Sequence, residues 1–393
     1  MKQETIHCSF SLESLLTDIL KSVDPLVSKI LNNALDGKQL SERDAIELFN
    51  TSKVELLMLW LVADEIRRRT VGETVTFVIN RNINFTNICL NRCSFCAFRR
   101  NQNDPDAYLL SIEEIVRRSE EAWRNGATEV CIQGGLNPNI EGYFYHKICE
   151  AIKKKTPHIH IHAFSPMEIV FGARKSQLNI REFLKMLKEA GLDSIPGTAA
   201  EILDDDLRRN ICPEKIDVNT WIDVIKTAHN LGIPTTSTMM YGHIDGPRQW
   251  ANHIRKIRDI QKETNGFTEF IPLSFVYPNT ELYRSGGARA GATATEDIKV
   301  HAIARLMLNK YIKNIQVSWV KLGLKMTEVC LLAGANDLGG TLMEENISKT
   351  AGATTGQRME RSEMEKLIRK IGRVPAQRDT TYNILNFQKT GTR

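Results

Sequence analysis

The sequence lacks a large excess of either charge. Lys and Arg number 52 against 47 Asp and Glu, a formal net charge of +5. So even a balance describes a mixed surface and not the footprint of a nucleic-acid-binding protein. The basic runs "IRRRT" and "AIKKKT" read as helix ends or solvated faces. Long apolar runs are also missing. The opening "MKQETIHCSFSLESLL" has no stretch of signal-peptide type. The longest charge-free apolar run in the first helical region, "LLMLWLVA", is far short of a membrane span. The expectation is a cytoplasmic protein that contacts neither membrane nor nucleic acid. Its reducing compartment argues against structural disulfides. There is no low-complexity linker and no internal repeat. What is present is ample for one large core, with or without a terminal appendage: 393 residues, 42% of them hydrophobic.

From about Ser11 to Arg69 the pattern is helical, through "SLESLLTDILKSV", "SERDAIELFN" and "VELLMLWLVADEIRRR", with Ser41 as an N-cap. After Gly72 the period changes. "TVTFVINRNINF" is β-rich, with Val75, Phe77 and Ile79 alternating. Strand-like and helix-like segments then take turns. The strands are "TEVCIQGG", "IHIHAF", "LDSIPG", "TTSTMMYG", "FTEFIPLSF", "NIQVSW" and "CLLAGAND". In "SIEEIVRRSEEAWRNG", Ser111 and Glu114 form a capping box, and Ile112, Ile115, Val116 and Trp123 share one face. Repeated βα units imply parallel strands with right-handed crossovers. About eight such units suggest an α/β fold of the (β/α)₈ TIM-barrel type, with an open doubly wound sheet as the competitor. The expected division is an N-terminal helical extension over 1–71, the barrel over 72–345, and a C-terminal extension over 346–393 that packs on the barrel.

Three of the eight cysteines, Cys89, Cys93 and Cys96, fall together in "NICLNRCSFCAFRR" directly after the first barrel strand. A structural zinc site wants four ligands, and no His or Asp lies in this loop. Cys131 could reach in from the next strand, but it alternates with Val130 and Ile132 as a core thiol would. A redox pair needs two cysteines and not three. A 4Fe–4S cluster on three thiolates leaves one iron open to bind a substrate. An electron carrier usually completes its cluster with a fourth protein ligand, which this loop lacks. The other cysteines, Cys8, Cys131, Cys149, Cys212 and Cys330, read as buried inert thiols.

The spacing Cys89-x₃-Cys93-x-Phe95-Cys96 resembles the signature of the radical S-adenosylmethionine superfamily. That resemblance implies a 4Fe–4S cluster on Cys89, Cys93 and Cys96, with S-adenosylmethionine on the open iron. It also implies Phe95 near the adenine and the backbone of Gly134 and Gly135, in "QGG", at the methionyl amino group. Leu136 stands where many members carry Glu. From about Phe77 to Tyr382, segments including "QGGLNP", "HAFSPMEI", "SIPGTAAEIL", "RRNICPEK", "SWVKLG" and "GANDLGGTLMEENIS" resemble one subgroup. It holds the two subunits of deazaflavin (FO) synthase and two futalosine enzymes of menaquinone biosynthesis. The match is closest to the subunit that transfers a 4-hydroxybenzyl group. It implies cleavage of L-tyrosine between Cα and Cβ, release of 2-iminoacetate, and addition of the fragment to 5-amino-6-(D-ribitylamino)uracil. An external electron donor and a ring-closing partner subunit are implied as well. The rival within the subgroup is an aminofutalosine synthase or the cyclase of the same route.

Polar residues at the strand ends complete the expected site. Glu269, His162, His243 and Tyr241 are the catalytic candidates. Ser165, Glu168, Arg208, Trp319, Asn336 and Asp337 are the substrate-binding candidates. Glu269 stands out because a carboxylate inside the apolar strand "FTEFIPL" needs a partner.

Overall fold

The computed structural model describes residues 23–385. The expected helix over "SLESLLTDILKSV" therefore lies almost wholly outside the described residues, as does Cys8. Three helices come first, Pro25–Leu35, Glu42–Phe49 and Lys53–Val71. Ser41 caps the second by accepting from the Asp44 N–H at 3.1 Å, and Asp44 returns the bond in a capping box. The third lies against the helix Ala294–Leu308, and the Trp60 indole donates to the Leu332 carbonyl at 2.6 Å.

The long β-rich stretch divides at Ile79 into β1 (Thr74–Val78) and β2 (Asn80–Asn84). The remaining strands are β3 (Glu129–Gln133), β4 (His160–Ala163), β5 (Thr235–Tyr241), β6 (Phe267–Ser274), β7 (Asp337–Gly340) and β8 (Val374–Gln377). All their ladders are parallel: β7-β1-β8, β2-β3-β4 and β5-β6. Parallel bridges tie these sheets together, from His162 to Ser194, Ile195 to Thr235, Phe270 to Ile315 and Gln316 to Asp337. Parallel pairing follows from the helices that return the chain between strands.

Several local expectations are corrected. "LDSIPG" and "NIQVSW" shrink to those bridges. Each is too short for a ladder and turns at once into the loop or helix that follows. "CLLAGAND" is not a strand at its start: Cys330 lies in the last turn of a helix, Trp319–Leu332, and the strand begins only at Asp337. Trp123 is 42% exposed, at the solvent edge of its helix, while Ile115 is fully buried. Ser111 accepts from the Glu114 N–H, but the reciprocal half of that capping box is absent. After the helix Arg361–Lys370 the C-terminal extension enters a sheet. It supplies β8, which pairs with β1 from Thr74 to Phe77, and then runs on under the strands.

Parallel strands give the molecule two chemically distinct ends. The loop with the three cysteines follows the last residue of β2. The C-terminal segment meets the opposite end, where β2, β3 and β6 begin.

Candidate active site

One cavity of about 420 Å³ runs between these two ends, a size usual for small-molecule sites. Cys89, Cys93 and Cys96 line it, together with Phe95, Gly134, Gly135, Ser165, Glu168, His162, Glu269 and Trp319.

Backbone bonds hold the cysteine loop on both flanks. The Cys89 N–H donates to the Arg100 carbonyl at 3.1 Å, and Leu90 to the Leu136 carbonyl at 3.0 Å. Ser94 donates to Ile211 at 3.0 Å and accepts from Leu282 at 2.8 Å. The Leu136 N–H points at Cys89 Sγ, 3.3 Å away, a donor suited to a thiolate. Burial pushes the Cys93 thiol well above its usual range, with Lys215 opposing, and raises the Cys96 thiol against backbone bonds from Arg99 and Phe98. Bare thiolates are thus disfavoured here, and a cationic metal centre is what would hold these sulfurs deprotonated. Among the described residues no three His, Cys, Asp or Glu side chains converge on a single ion. An iron–sulfur cluster makes no such demand, because each thiolate meets a different iron. The soft donor set and the anchored loop therefore fit the cluster.

The "QGG" turn lies directly against that loop. A Cβ on Gly135 would stand 2.2 Å from the Ile88 carbonyl oxygen and 2.9 Å from Cys89 Cβ. A Cβ on Gly134 would strike the Phe85 ring at 2.6 Å. Only glycine permits this approach. The Gly134 N–H donates to Glu168 Oε1 at 2.9 Å, while Glu168 Oε2 accepts from the Ser165 N–H and hydroxyl, both at 2.7 Å. Ser165 and Glu168 also form the capping box of the helix Pro166–Lys175. Burial raises the Glu168 carboxyl to about 7, against those bonds. Both residues line the cavity, yet they spend these bonds on local structure.

Two residues that sequence reasoning passed over stand beside the cluster loop. Lys215 pairs with Glu201 and lies 5.2 Å from the Phe95 ring centroid. Both line the cavity. They lie in "TAAEIL" and "ICPEK", segments whose likeness to the subgroup was legible although their ion pair was not.

At the opposite end the side chains are charged. Glu129 accepts from Asn80 Nδ2 at 2.9 Å and from the Thr380 hydroxyl at 2.7 Å. Burial opposes its charge, but His162 and His160 with these two bonds outweigh burial and hold the carboxyl below its usual range. Glu269 Oε2 accepts from the Tyr382 hydroxyl at 2.6 Å and lies 3.5 Å from Arg378. Burial raises the Glu269 carboxyl to about 7, with Arg378 opposing. Arg378 forms a fork on Asp337 at 2.5 and 3.0 Å and stacks on the Tyr382 ring, 3.9 Å from its centroid. The buried carboxylate in "FTEFIPL" thus finds its partner in a segment more than a hundred positions later. His162 Nδ1 shares a bond with the Ser194 hydroxyl at 2.7 Å, and burial lowers its pKa to about 4, leaving it neutral.

Five expected site residues do not line the cavity. The Tyr241 hydroxyl donates to Asp297 at 2.6 Å, behind the strands. His243 packs edge-on to Phe275, 3.6 Å from Asp245, with both ring nitrogens unbonded. Arg208 donates to the carbonyls of Ala199, Ala200 and Ile216. Asn336 accepts from Arg305 at 2.6 Å and from the Ile315 N–H at 2.9 Å. Asp337 holds Arg378 and Thr76. Each side chain is spent on packing, because a strand end can turn outward as readily as inward. Trp319 lines the cavity and donates to the Gly340 carbonyl at 3.0 Å.

A cavity with three clustered cysteines at the C-terminal strand ends defines a class before it defines a protein. Residues 83–257 match the Radical SAM superfamily, and residues 264–391 match the CofH/MqnC C-terminal region. Two solved structures share the fold. Methylornithine synthase has a TM-score of 0.68 at 20% identity, covering 88% of this chain and 97% of that one. The FeFe-hydrogenase maturase HydG from Carboxydothermus hydrogenoformans has 0.71 at 17%, covering 94% and 83%. Both support a TIM-type fold.

Curated relatives are far nearer in sequence. The 5-amino-6-(D-ribitylamino)uracil–L-tyrosine 4-hydroxyphenyl transferase of Methanocaldococcus jannaschii is 54% identical over 90% of this chain and 99% of its own length. Those of Archaeoglobus fulgidus (55%, over 83% and 93%) and Methanopyrus kandleri (51%, over 92% and 96%) agree. The chain belongs to the radical S-adenosylmethionine superfamily and, within it, to the family of these transferases. Among the described residues no helix is long and apolar enough to cross a membrane.

Proposed function

We propose that this chain joins the 4-hydroxybenzyl part of L-tyrosine to 5-amino-6-(D-ribitylamino)uracil, releasing 2-iminoacetate, methionine and 5′-deoxyadenosine. The observation that carries the reading is identity above half, along nearly the whole length, to relatives named for that reaction. The same names argue against the futalosine alternatives. The bridges between the sheets support a closed (β/α)₈ barrel over 72–345, with helices before it and the 346–393 extension against it.

Cys89, Cys93 and Cys96 would hold the cluster. Phe95, Gly134 and Gly135 would border S-adenosylmethionine, with Lys215 and Glu201 beside them. When bound, these groups supply a one-electron cleavage that generates a 5′-deoxyadenosyl radical. The chain's own residues bind, orient and exclude water. The Gly134–Glu168 bond fixes the turn at the cofactor. Met240, Leu273, Phe275 and Val317 offer apolar wall to an aromatic ring near the cysteines. Glu269 and His162 offer polar contacts further down. The electron comes from an external donor, and the product passes to a ring-closing partner subunit.

Anaerobically reconstituted protein, given tyrosine and the ribitylaminouracil, should form the coupled product by mass spectrometry, with deoxyadenosine released only when tyrosine is present. Consumption of a carboxyvinyl-oxybenzoate, with the adenosyl carbon retained in the product, would move the chain to the futalosine branch.

A further inference from the structure

The end of the cavity away from the cysteines is built in part by the C-terminal extension. Arg378 and Thr380 line the cavity, and Tyr382 holds Glu269. Asn80 and Glu129 stand opposite each other at the first positions of β2 and β3, while the cysteine loop follows Asn84. Roughly 13 Å of strand separates Asn80 from Asn84, with His162 in register with Cys131 between them. That is room for one substrate beneath another.

The lower level is polar, and its polar atoms are not all spent. Glu269 is 4% exposed, and Tyr382 takes only its Oε2; among the described residues Oε1 has no hydrogen-bond partner. His162 uses Nδ1 on Ser194 and leaves Nε2 without a bond. Gln316 lines the cavity, and among the described residues nothing bonds its side-chain amide. A carboxylate oxygen accepts and a protonated carboxyl also donates, an amide does both, and a neutral imidazole nitrogen does either according to its tautomer. A row of hydroxyls is the ligand chemistry that matches such a mixture, since each hydroxyl both donates and accepts. Hydroxyl bonds to a carboxylate are among the strong ones. A tyrosine side chain brings a single hydroxyl and would pair only one of these groups, leaving the others unpaired, which is costly when they are buried.

We propose that this floor, Glu269, His162 and Gln316 braced from below by Arg378 and Tyr382, binds the ribityl chain of the pyrimidine substrate. The polyol lies deep and the ring faces the cysteines, leaving the apolar upper wall to tyrosine. Tyr382 is a positioning residue, since its hydroxyl sets the rotamer of Glu269. The C-terminal segment thereby determines specificity. The inference rests on the proposed function for the identity of the polyol.

The test is calorimetric titration of the holoenzyme with the ribitylaminouracil and with the diaminouracil that lacks the ribityl chain. Wild type should bind the ribityl compound at least a hundredfold more tightly. Equal affinities would overturn the proposal whatever the variants do. In Tyr382→Phe, which keeps the ring on Arg378, and in Gln316→Leu, affinity for the ribityl compound should fall at least tenfold. Affinity for the diaminouracil should hold. Equal losses for both ligands, or no loss, would make the floor merely structural and overturn the proposal. The two readings separate in wild type. Coupled product without ribityl preference sinks the floor alone. Ribityl preference without tyrosine coupling sinks the proposed function and leaves the floor standing.

Discussion

Glu168 accepts the backbone N–H of Gly134 across 2.9 Å and so ties the helix Pro166–Lys175 to the turn that abuts the cysteine loop. Glu168→Ala would leave the N–H groups of Gly134 and Ser165 without their acceptor. Each such loss costs about 1–3 kcal/mol when the group is buried. The melting temperature should drop by several degrees, and S-adenosylmethionine affinity should weaken at least tenfold in an equilibrium titration. Glu168→Gln keeps one acceptor oxygen and should lose less. Unchanged cofactor affinity in Glu168→Ala would detach this bond from the cofactor.

The cysteines divide by position. Cys89→Ala, Cys93→Ala and Cys96→Ala should each lower iron and sulfide content and abolish deoxyadenosine formation. Cys149→Ala should do neither, because Cys149 is buried on the helix Phe144–Lys155, away from the cavity. Retention of iron and activity in the triple alanine variant would end the cluster assignment.

Gly135 carries a steric prediction. Even alanine would place its Cβ inside contact distance of the Ile88 carbonyl and Cys89. The backbone on both sides is fixed by hydrogen bonds, so the cysteine loop itself must shift. Gly135→Ala should therefore reduce iron incorporation as well as cofactor binding, read from the visible absorption after reconstitution. Full iron content in that variant would show that the loop can yield.

The cluster loop was legible because its chemistry is contiguous: three cysteines and an aromatic residue within eight positions need no fold to be read. Alternation of strands and helices was legible for the same reason, through local period. The floor was not. Glu269 announced that it needed a partner, but nothing in "RDTTYN" at the far end of the chain marks it as that partner. Only β8 pairing with β1 brings Arg378, Thr380 and Tyr382 beneath the strands. Tyr241, Asn336 and Arg208 show the converse. A polar residue at a strand end is available for a site, but sequence does not say which way it turns or whether a carbonyl has already claimed it.

Burial makes His253 a probe of acid stability. It is fully buried, accepts from the Leu203 N–H at 3.0 Å, and has its pKa lowered to about 3 by burial. The unfolded chain protonates this ring near 6.5, and the fold refuses the proton. Its stabilisation is thus full above 6.5 and is lost as pH falls toward the folded value. Urea unfolding of wild type and His253→Asn should show a stability difference that shrinks by about 3 kcal/mol between pH 6.5 and 4. A difference independent of pH over that window would mean that the ring takes up its proton in the folded state.

The bonds Arg208 makes suit a positioning role better than that of a carboxylate receptor. Its guanidinium donates to the carbonyls of Ala199, Ala200 and Ile216. Ala199 and Glu201 hold φ values of 63° and 44°, left-handed backbone that costs residues with a Cβ about 1–3 kcal/mol each. The three-way grip offsets that strain and aims Glu201 at Lys215 beside the cysteine loop. Arg208→Lys separates the two roles. A carboxylate receptor would keep part of its function with an ammonium, because the charge remains. One ammonium cannot serve three carbonyls in a fixed fan, so a structural role is lost nearly as fully as in Arg208→Leu. Both variants should melt several degrees below wild type and bind S-adenosylmethionine at least tenfold more weakly, while KM for tyrosine changes little. A large rise in KM for tyrosine in Arg208→Leu, relieved in Arg208→Lys at wild-type melting temperature, would return Arg208 to the substrate.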